Sequence, residues 1–389
     1  MRHREAIPEE WFTRWRRIDP VAETAIPSDG SDWMSYGTQQ QQTYSDEAGD
    51  VVMEVENTDV RFDMDRGQSR VLNDVNVDIF REEILAVVGE SGSGKSMFAA
   101  ALLDAVEQPG LTTGEITYYP PDGDPVDVLG LSDQQLKSFR WEEVSMVFQG
   151  AMNSFNPTMK IRGHFEETIA AHDANLDERL EYVYDLFDAL NLDVDRVMRS
   201  YPHELSGGMK QRALIALSLV LEPEVLVMDE PTAALDLLMQ RTIINMLTDL
   251  RDELEITIVF ITHDLPLIAG LSDRIGVLYG FEFIEIGPTE PLLEDAAHPY
   301  TRALLRSVPS IDSPLDQMQT IPGSSPDPVN IPSGCSYHPR CPLADDRCRI
   351  EDPDLVQVEG DHRVSCFYWE QSAGEIDYTL HGGGVEDNE

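Results

Sequence analysis

The chain has 389 residues, room for one large domain or two ordinary ones, and its 41% hydrophobic content allows a proper core. Only 28 basic residues stand against 72 acidic ones, and the resulting net charge of −44 repels nucleic acid and argues against it as a partner. No apolar run approaches the ~20 residues of a membrane span, and the charged, aromatic first residues do not read as a signal peptide, so the cytoplasm is the expected compartment. High net charge usually signals disorder, but the apolar content and strand-like runs oppose that here. Acid excess with only four lysines (Lys95, Lys137, Lys160, Lys210) looks like adaptation to molar salt, where a short Debye length screens self-repulsion. The expected source is a halophile, and the charge reports habitat more than partner.

In chain order, residues 1–48 read as an extension, disordered or lying at a surface. Its basic-aromatic cluster is Arg14-Trp15-Arg16-Arg17 with Trp11 and Phe12. The polar residues around Gln39 to Gln42 read as linker. A globular domain is expected over 49–305. Val51-Val52-Met53-Glu54-Val55 and the stretch from Val71 to Ile79 alternate as strands of an edge sheet. Ile84 to Val88 reads as a fully buried strand and Met97 to Leu103 as a helix, with a glycine-rich loop between them. From Gly114 to Val128, turn residues separate short β-type runs, and Val144 to Phe148 reads as a buried strand ending at Gln149. Residues 150–205 are expected to be a helical insertion: Leu180, Val183, Phe187 and Leu190 recur at helical spacing, with Asp177 placed as N-cap. Val225 to Met228 and Thr257 to Ile261 read as buried strands joined by an amphipathic helix from Thr242 to Leu254, which implies a parallel sheet with right-handed crossovers. Past residue 305, Pro and Gly become frequent and four cysteines appear; residues 372–389 read as an acidic tail.

The loop Gly89-Glu90-Ser91-Gly92-Ser93-Gly94-Lys95-Ser96 fits G-x-x-x-x-G-K-[ST] at every fixed position, in the strand–loop–helix context that motif requires. Its glycines let consecutive N–H groups turn toward phosphate oxygens, and the helix N-terminus adds favourable dipole. Lys95 supplies a point charge to the β- and γ-phosphates and Ser96 a hydroxyl to Mg²⁺. Asp229-Glu230 follows a buried strand at what should be the ligand-binding edge of the sheet. Asp229 can hold Mg²⁺ and Glu230 can polarise the attacking water. Thr262-His263-Asp264 leaves a third strand end. Ser206-Gly207-Gly208 opens a helical run and is a second anion site by the same helix-terminus physics.

Together these motifs resemble the ATP-binding cassette family over about residues 51–305. The fold expected is therefore α/β, a P-loop NTPase of the cassette type with a helical subdomain and an edge β-subdomain. The resemblance implies that Ser206, Gly207 and Gly208 complete the ATP site of a facing cassette. It implies that Gln149 senses Mg²⁺ and couples to a membrane subunit, that Ala234-Leu235-Asp236 passes between cassettes, and that His263 is a switch histidine. Two positions depart from the family pattern. The adenine-stacking aromatic is missing near Arg66, leaving Arg66 or Phe62 for that contact, and the Gly-Glu pair before the phosphate-loop strand is Glu82-Glu83.

Met209 after Ser-Gly-Gly, the run Asn153-Ser154-Phe155-Asn156-Pro157, His298-Pro299-Tyr300-Thr301, Ile321-Pro322-Gly323 and Pro339-Arg340-Cys341-Pro342 narrow the likeness. They look like the ATP-binding subunits of dipeptide, oligopeptide and nickel importers, including a C-terminal extension over 306–371, here from a halophilic archaeon. That resemblance implies an ATPase on the cytoplasmic face of the membrane. Its partners are a second cassette (a paralogue or another copy), two permease subunits and, indirectly, an extracytoplasmic binding protein. Peptide is the default cargo; nickel, oligosaccharide and a soluble non-transport ATPase are the alternatives. Cys335, Cys341, Cys348 and Cys366 fall within 32 residues, with gaps of five, six and seventeen. Clustered thiols in a cytosolic chain suggest a metal rather than disulfides. Some members of the resembled family carry a [4Fe–4S] cluster on such cysteines, and Cys₄ ligation suits one; zinc is the alternative.

Overall fold

The computed structural model describes residues 50–150, 154–233, 235–307, 321–376 and 378. The N-terminal extension, Asn153, Ala234 and, in the acidic tail, Asp377 and residues 379–389 lie outside the described residues. Along the chain, β1 (Val51–Met64) and β2 (Gly67–Phe80) form a long hairpin, and β3 (Ile84–Val88) runs into the phosphate loop and α1 (Lys95–Leu102). Then come β4 (Leu111–Tyr118), β5 (Val126–Asp127), α2 (Asp133–Glu142) and β6 (Val144–Val147). The helical region holds α3 (Ile161–Ala171), α4 (Leu176–Ala189), α5 (Val194–Arg199) and α6 (Gly207–Leu219). After it follow β7 (Val225–Asp229), α7 (Leu237–Leu254), β8 (Thr257–Ile261), α8 (Leu265–Ile268), β9 (Arg274–Tyr279) and β10 (Glu282–Pro288). The last elements among the described residues are α9 (Thr289–Glu294), α10 (Pro299–Arg306), β11 (Val356–Glu359), β12 (His362–Val364) and α11 (Trp369–Glu375).

Two sheets result. Strands β2-β1-β4-β5 make an antiparallel sheet, and β11-β12-β10-β9-β3-β8-β7-β6 make the central one. Its middle, β9-β3-β8-β7-β6, is parallel, with β3 between β8 and β9. Parallel strands covered on both faces must be apolar throughout, and β3, β7 and β8 are buried at every position. Alternate side chains serve opposite cores. Ile84, Ala86, Val88, Leu226, Met228, Ile258 and Phe260 face the helical side. Leu85, Val87, Val225, Val227, Val259 and Ile261 join α1 and the antiparallel sheet. Residues after 350 are stitched into this same sheet, because β12 pairs with β10 and β11 with β12.

Several local expectations need correction. The N-cap of α4 is Asn175, whose side chain accepts from the Asp177 and Glu178 amides, while Asp177 sits in the first turn, where its charge favours the dipole. Strand β6 stops at Val147; Phe148 is exposed. Helix α7 starts at Leu237 rather than Thr242, because Asp236 caps it and its first two leucines face outward, off the apolar stripe. Helix α6 opens at Gly207 with Ser206 as N-cap, so the Ser-Gly-Gly turn does open a helix.

Candidate active site

The phosphate loop takes its shape from backbone that only glycine can follow at two positions. Gly89 has φ +153°, and a Cβ there would stand 2.1 Å from the Leu278 carbonyl; Gly94 has φ +110°, and its Cβ would meet the Val71 carbonyl at 2.6 Å. Gly94 is also the N-cap of α1, so no side chain claims the first-turn amides, and no acidic residue sits among them. That leaves the positive end of the helix free for an anion. The Lys95 ammonium, almost fully buried, donates to the carbonyls of Gly89 (2.8 Å) and Glu90 (2.9 Å). Burial lowers its pKa, against the opposing pull of Glu230, Asp229 and Glu90.

The parallel register brings the other groups to the same edge. Ile261 pairs with both Val87 and Asp229, and Val147 pairs with Met228, so β3, β6, β7 and β8 end together. Buried Asp229 has one oxygen, Oδ1, without a hydrogen-bond partner. Burial raises its pKa, and a hydrogen bond from Ser96 and the charge of Lys95 oppose that. The hydroxyl of Ser93 is likewise buried and unpartnered. Glu230 lies at φ +47°, and its amide donates to the Ile261 carbonyl at 3.0 Å. One of its carboxylate oxygens accepts from the Gln149 amide at 2.7 Å, and the other meets Nδ1 of His263 at 3.1 Å. The structure thus assembles Lys95, Ser96, Gln149, Asp229, Glu230 and His263 into one cluster. A helix N-terminus, a lysine, a hydroxyl and two carboxylates meet there, with polar atoms left open.

The ABC transporter family model matches residues 72–233, and the model for the oligopeptide/dipeptide transporter C-terminal region matches 284–348. The dipeptide transport ATP-binding protein DppD of Caldanaerobacter subterraneus is 36% identical over 324 residues, covering 82% of this chain and 98% of that protein. The oligopeptide transport ATP-binding protein OppD of Salmonella typhimurium is 36% identical over 313 residues, 80% of this chain and 92% of that one. The chain belongs to this family of ABC transporter ATP-binding proteins. Among solved structures, a dimeric bacterial ABC transporter cassette, MJ0796, superposes with TM-score 0.53 at 25% identity, covering 61% of this chain and 99% of that chain. The cassette cbiO1 of Clostridium perfringens gives 0.54 at 26%, covering 63% and 92%. Members of the family are ATPases coupled to transport, and ATP with Mg²⁺ is the expected ligand of the cluster at the sheet edge.

Other expected positions in the cassette stand apart from that cluster. Ser206 and Gly207 are exposed at the start of α6, where the Ser206 hydroxyl accepts from the Met209 amide at 3.3 Å. A Cβ on Gly208 would stand 2.2 Å from Met239 of α7. The carboxylate of Asp236 accepts from the Leu238 and Met239 amides, so the Ser-Gly-Gly turn and the Asp236 loop converge on Met239. Arg66 is engaged by Asp327 at 2.9 Å, and Phe62 packs where a Cβ on Gly110 would touch its ring.

The four cysteines are free thiols that line one pocket, walled partly by Tyr337 and Phe367. Burial pushes Cys335 and Cys366 up to about 12 and Cys341 to about 11, and raises Cys348 as well. Among the described residues no three His, Cys, Asp or Glu side chains converge as a single-ion site. Nor is any helix among them long and apolar enough to cross a membrane. Sequence reasoning missed Arg340, whose guanidinium grips Glu90 of the phosphate loop. It lies inside Pro339-Arg340-Cys341-Pro342, a run read only for its family likeness and not for a contact with the phosphate loop.

Proposed function

We propose that this cassette powers import of di- and oligopeptides from the cytoplasmic face of the cell membrane. It works with a second cassette, a paralogue or another copy, on two permease subunits fed by an extracytoplasmic binding protein. The observation that carries the peptide assignment is the C-terminal region at 284–348, which matches the model named for oligopeptide and dipeptide transporters. The relatives named for dipeptide and oligopeptide transport align over about four fifths of the chain.

In this reading the phosphate loop, residues 89–96, binds the triphosphate through its amides and Lys95, and Glu230 orients the attacking water. Both Glu230 oxygens are engaged, by Gln149 and His263, so the water must displace one of them. Gln149 follows exposed Phe148. A membrane subunit that docks there can draw the amide away and free the carboxylate, which couples transport to hydrolysis. Ser96, Asp229 with its unpartnered oxygen, and Gln149 would hold Mg²⁺, which would supply charge neutralisation for the triphosphate. Ser206, Gly207 and Gly208 serve the facing cassette's γ-phosphate, and Asp236 holds the loop between the two. Arg66 stays the candidate for the base, although Asp327 orients its guanidinium.

That all four thiols line one pocket supports a shared inorganic centre, a [4Fe–4S] cluster in this reading with zinc as the alternative. Iron content and visible absorbance of anaerobically purified protein test this, and colourless, iron-free protein rejects it. The acid excess supports a halophilic origin; an unfolding midpoint that does not rise between about 0.1 and 2 M KCl rejects it. The functional reading is tested by uptake of labelled di- and oligopeptides in source cells carrying wild type or Glu230→Gln. The variant should lose uptake. Undiminished uptake, with the variant protein present and no redundant system, rejects the peptide assignment and directs the search to nickel and oligosaccharides.

A further inference from the structure

Glu90 is the second residue of the phosphate loop, and its amide, carbonyl and carboxylate are all engaged. Its amide donates to the Tyr300 hydroxyl at 3.0 Å. Its carbonyl accepts from Lys95 at 2.9 Å and from the Ser93 amide at 3.2 Å. Its carboxylate takes both terminal nitrogens of Arg340, at 2.6 and 3.1 Å, and the Ser325 hydroxyl at 3.3 Å. The Arg340 side chain is only 5% exposed. It is held in turn by the Pro322 carbonyl at 2.6 Å and the Tyr279 hydroxyl at 3.3 Å, and its guanidinium lies near the Tyr279 and Tyr337 rings. Tyr300, Ser325 and Arg340 all lie beyond residues 72–233, the stretch matched by the ABC transporter model. The same C-terminal segment reaches the β1–β2 turn, where Asp327 pairs with Arg66 and the Pro328 carbonyl accepts from the Arg70 amide at 2.8 Å.

A carboxylate inside a loop that must receive a triphosphate works against binding unless its charge is met. We propose that Arg340 is a positioning residue for ATP. It neutralises Glu90 and fixes the loop's second peptide, so the C-terminal region sets the nucleotide affinity of the cassette. The pair is bidentate, with its arginine buried and its glutamate partly exposed, and such a fork carries geometry as well as energy. The inference rests on the ATPase reading above.

The test uses the full chain, with MgATP affinity read by calorimetry and steady-state hydrolysis split into kcat and KM. Arg340→Gln should raise Kd and KM for ATP by about tenfold to a hundredfold, with kcat within about twofold. Glu90→Gln placed on that background removes the uncompensated carboxylate and should recover most of the loss, which a merely structural role for Arg340 would not produce. Unchanged KM in a folded Arg340→Gln protein, or no recovery in the double variant, overturns the proposal. If Arg340→Gln does not fold, Arg340→Lys keeps the charge without the fork and is read the same way. A KM rise of about threefold or more is expected for it, and no rise overturns the proposal. A wild-type chain that binds no MgATP would strike down the ATPase reading itself, an outcome distinct from an Arg340 variant that binds normally.

Discussion

Two buried carboxylates, Asp229 at the end of β7 and Glu285 in β10, sit in one sheet and are treated in opposite ways. Glu285 is fully buried and saturated: it accepts from His362 at 2.8 Å, from the Ala297 amide at 2.5 Å and from the His298 amide at 3.0 Å. These bonds tie β10 to β12 and to the start of α10. His298 beside it stays neutral, because burial presses its pKa down to about 3 and its Nδ1 accepts from the Tyr300 amide. Asp229 keeps an oxygen with no partner. An unsatisfied buried group has a cost that a purely structural site avoids. The saturated carboxylate holds the fold, and the open one waits for a ligand.

The largest effect expected from this contrast is on chemistry. Glu230→Gln keeps the shape of the cluster but removes the base, and kcat for ATP should fall by about 10² to 10⁴. A variant that hydrolyses ATP as fast as wild type would remove Glu230 from the mechanism. The second effect separates the two carboxylates by stability. Glu285→Ala strands His362 and two buried amides, and denaturant unfolding should show a loss of about 3–5 kcal/mol. Asp229→Asn relieves the burial of a charge and should change stability by less than about 1 kcal/mol while abolishing Mg²⁺-dependent hydrolysis. Equal losses in the two variants would erase the distinction.

How legible each region was in the sequence follows from the same physics. Phosphate binding demands a fixed run of backbone geometry, so Gly89, Gly94, Lys95 and the strand-end pair Asp229-Glu230 stand at spacings that can be read directly. Buried parallel strands advertise themselves as apolar runs, and β3, β7 and β8 fall where expected. The C-terminal region obeys no such spacing. Glu285 meets His362 across 77 residues and Arg340 meets Glu90 across 250, and nothing local marks either pair. Helix starts failed for a related reason: Leu237 and Leu238 face outward, so periodicity alone places the start of α7 too late.

A smaller effect concerns a carboxylate, in the same strand as Glu285, that a second acidic side chain crowds. Glu282, at the start of β10, is pushed up to about 8, mainly by burial and then by Asp352, which is itself raised to about 6. The folded chain therefore holds this proton more tightly than the unfolded one, whose ordinary value is 4.5. The contribution to stability is complete below pH 4.5 and is lost as pH rises toward 8. Glu282→Gln should flatten that decline and add about 1–3 kcal/mol at pH 8, measured by denaturant unfolding at pH 5 and pH 8. An unchanged slope would mean that other groups carry it.

The smallest effect compares the two ends of β3. Both are flanked by left-handed backbone, Glu82 at φ +59° before the strand and Gly89 at φ +153° after it. At Gly89 the Leu278 carbonyl forbids any side chain. At Glu82 the side chain is exposed and the amide donates to the Thr257 hydroxyl at 2.9 Å, so the residue bears backbone strain of about 1–2 kcal/mol without a clash. Glu82→Gly removes the strain but gives the unfolded chain more freedom, worth about 0.4–1 kcal/mol. The balance is a gain of about 0.5–1 kcal/mol, read from the denaturant midpoint at constant m-value. A loss would show that the Glu82 side chain contributes more than its strain costs. A gain would leave the two ends of one strand distinguished by sterics at the nucleotide edge and by residue choice at the other.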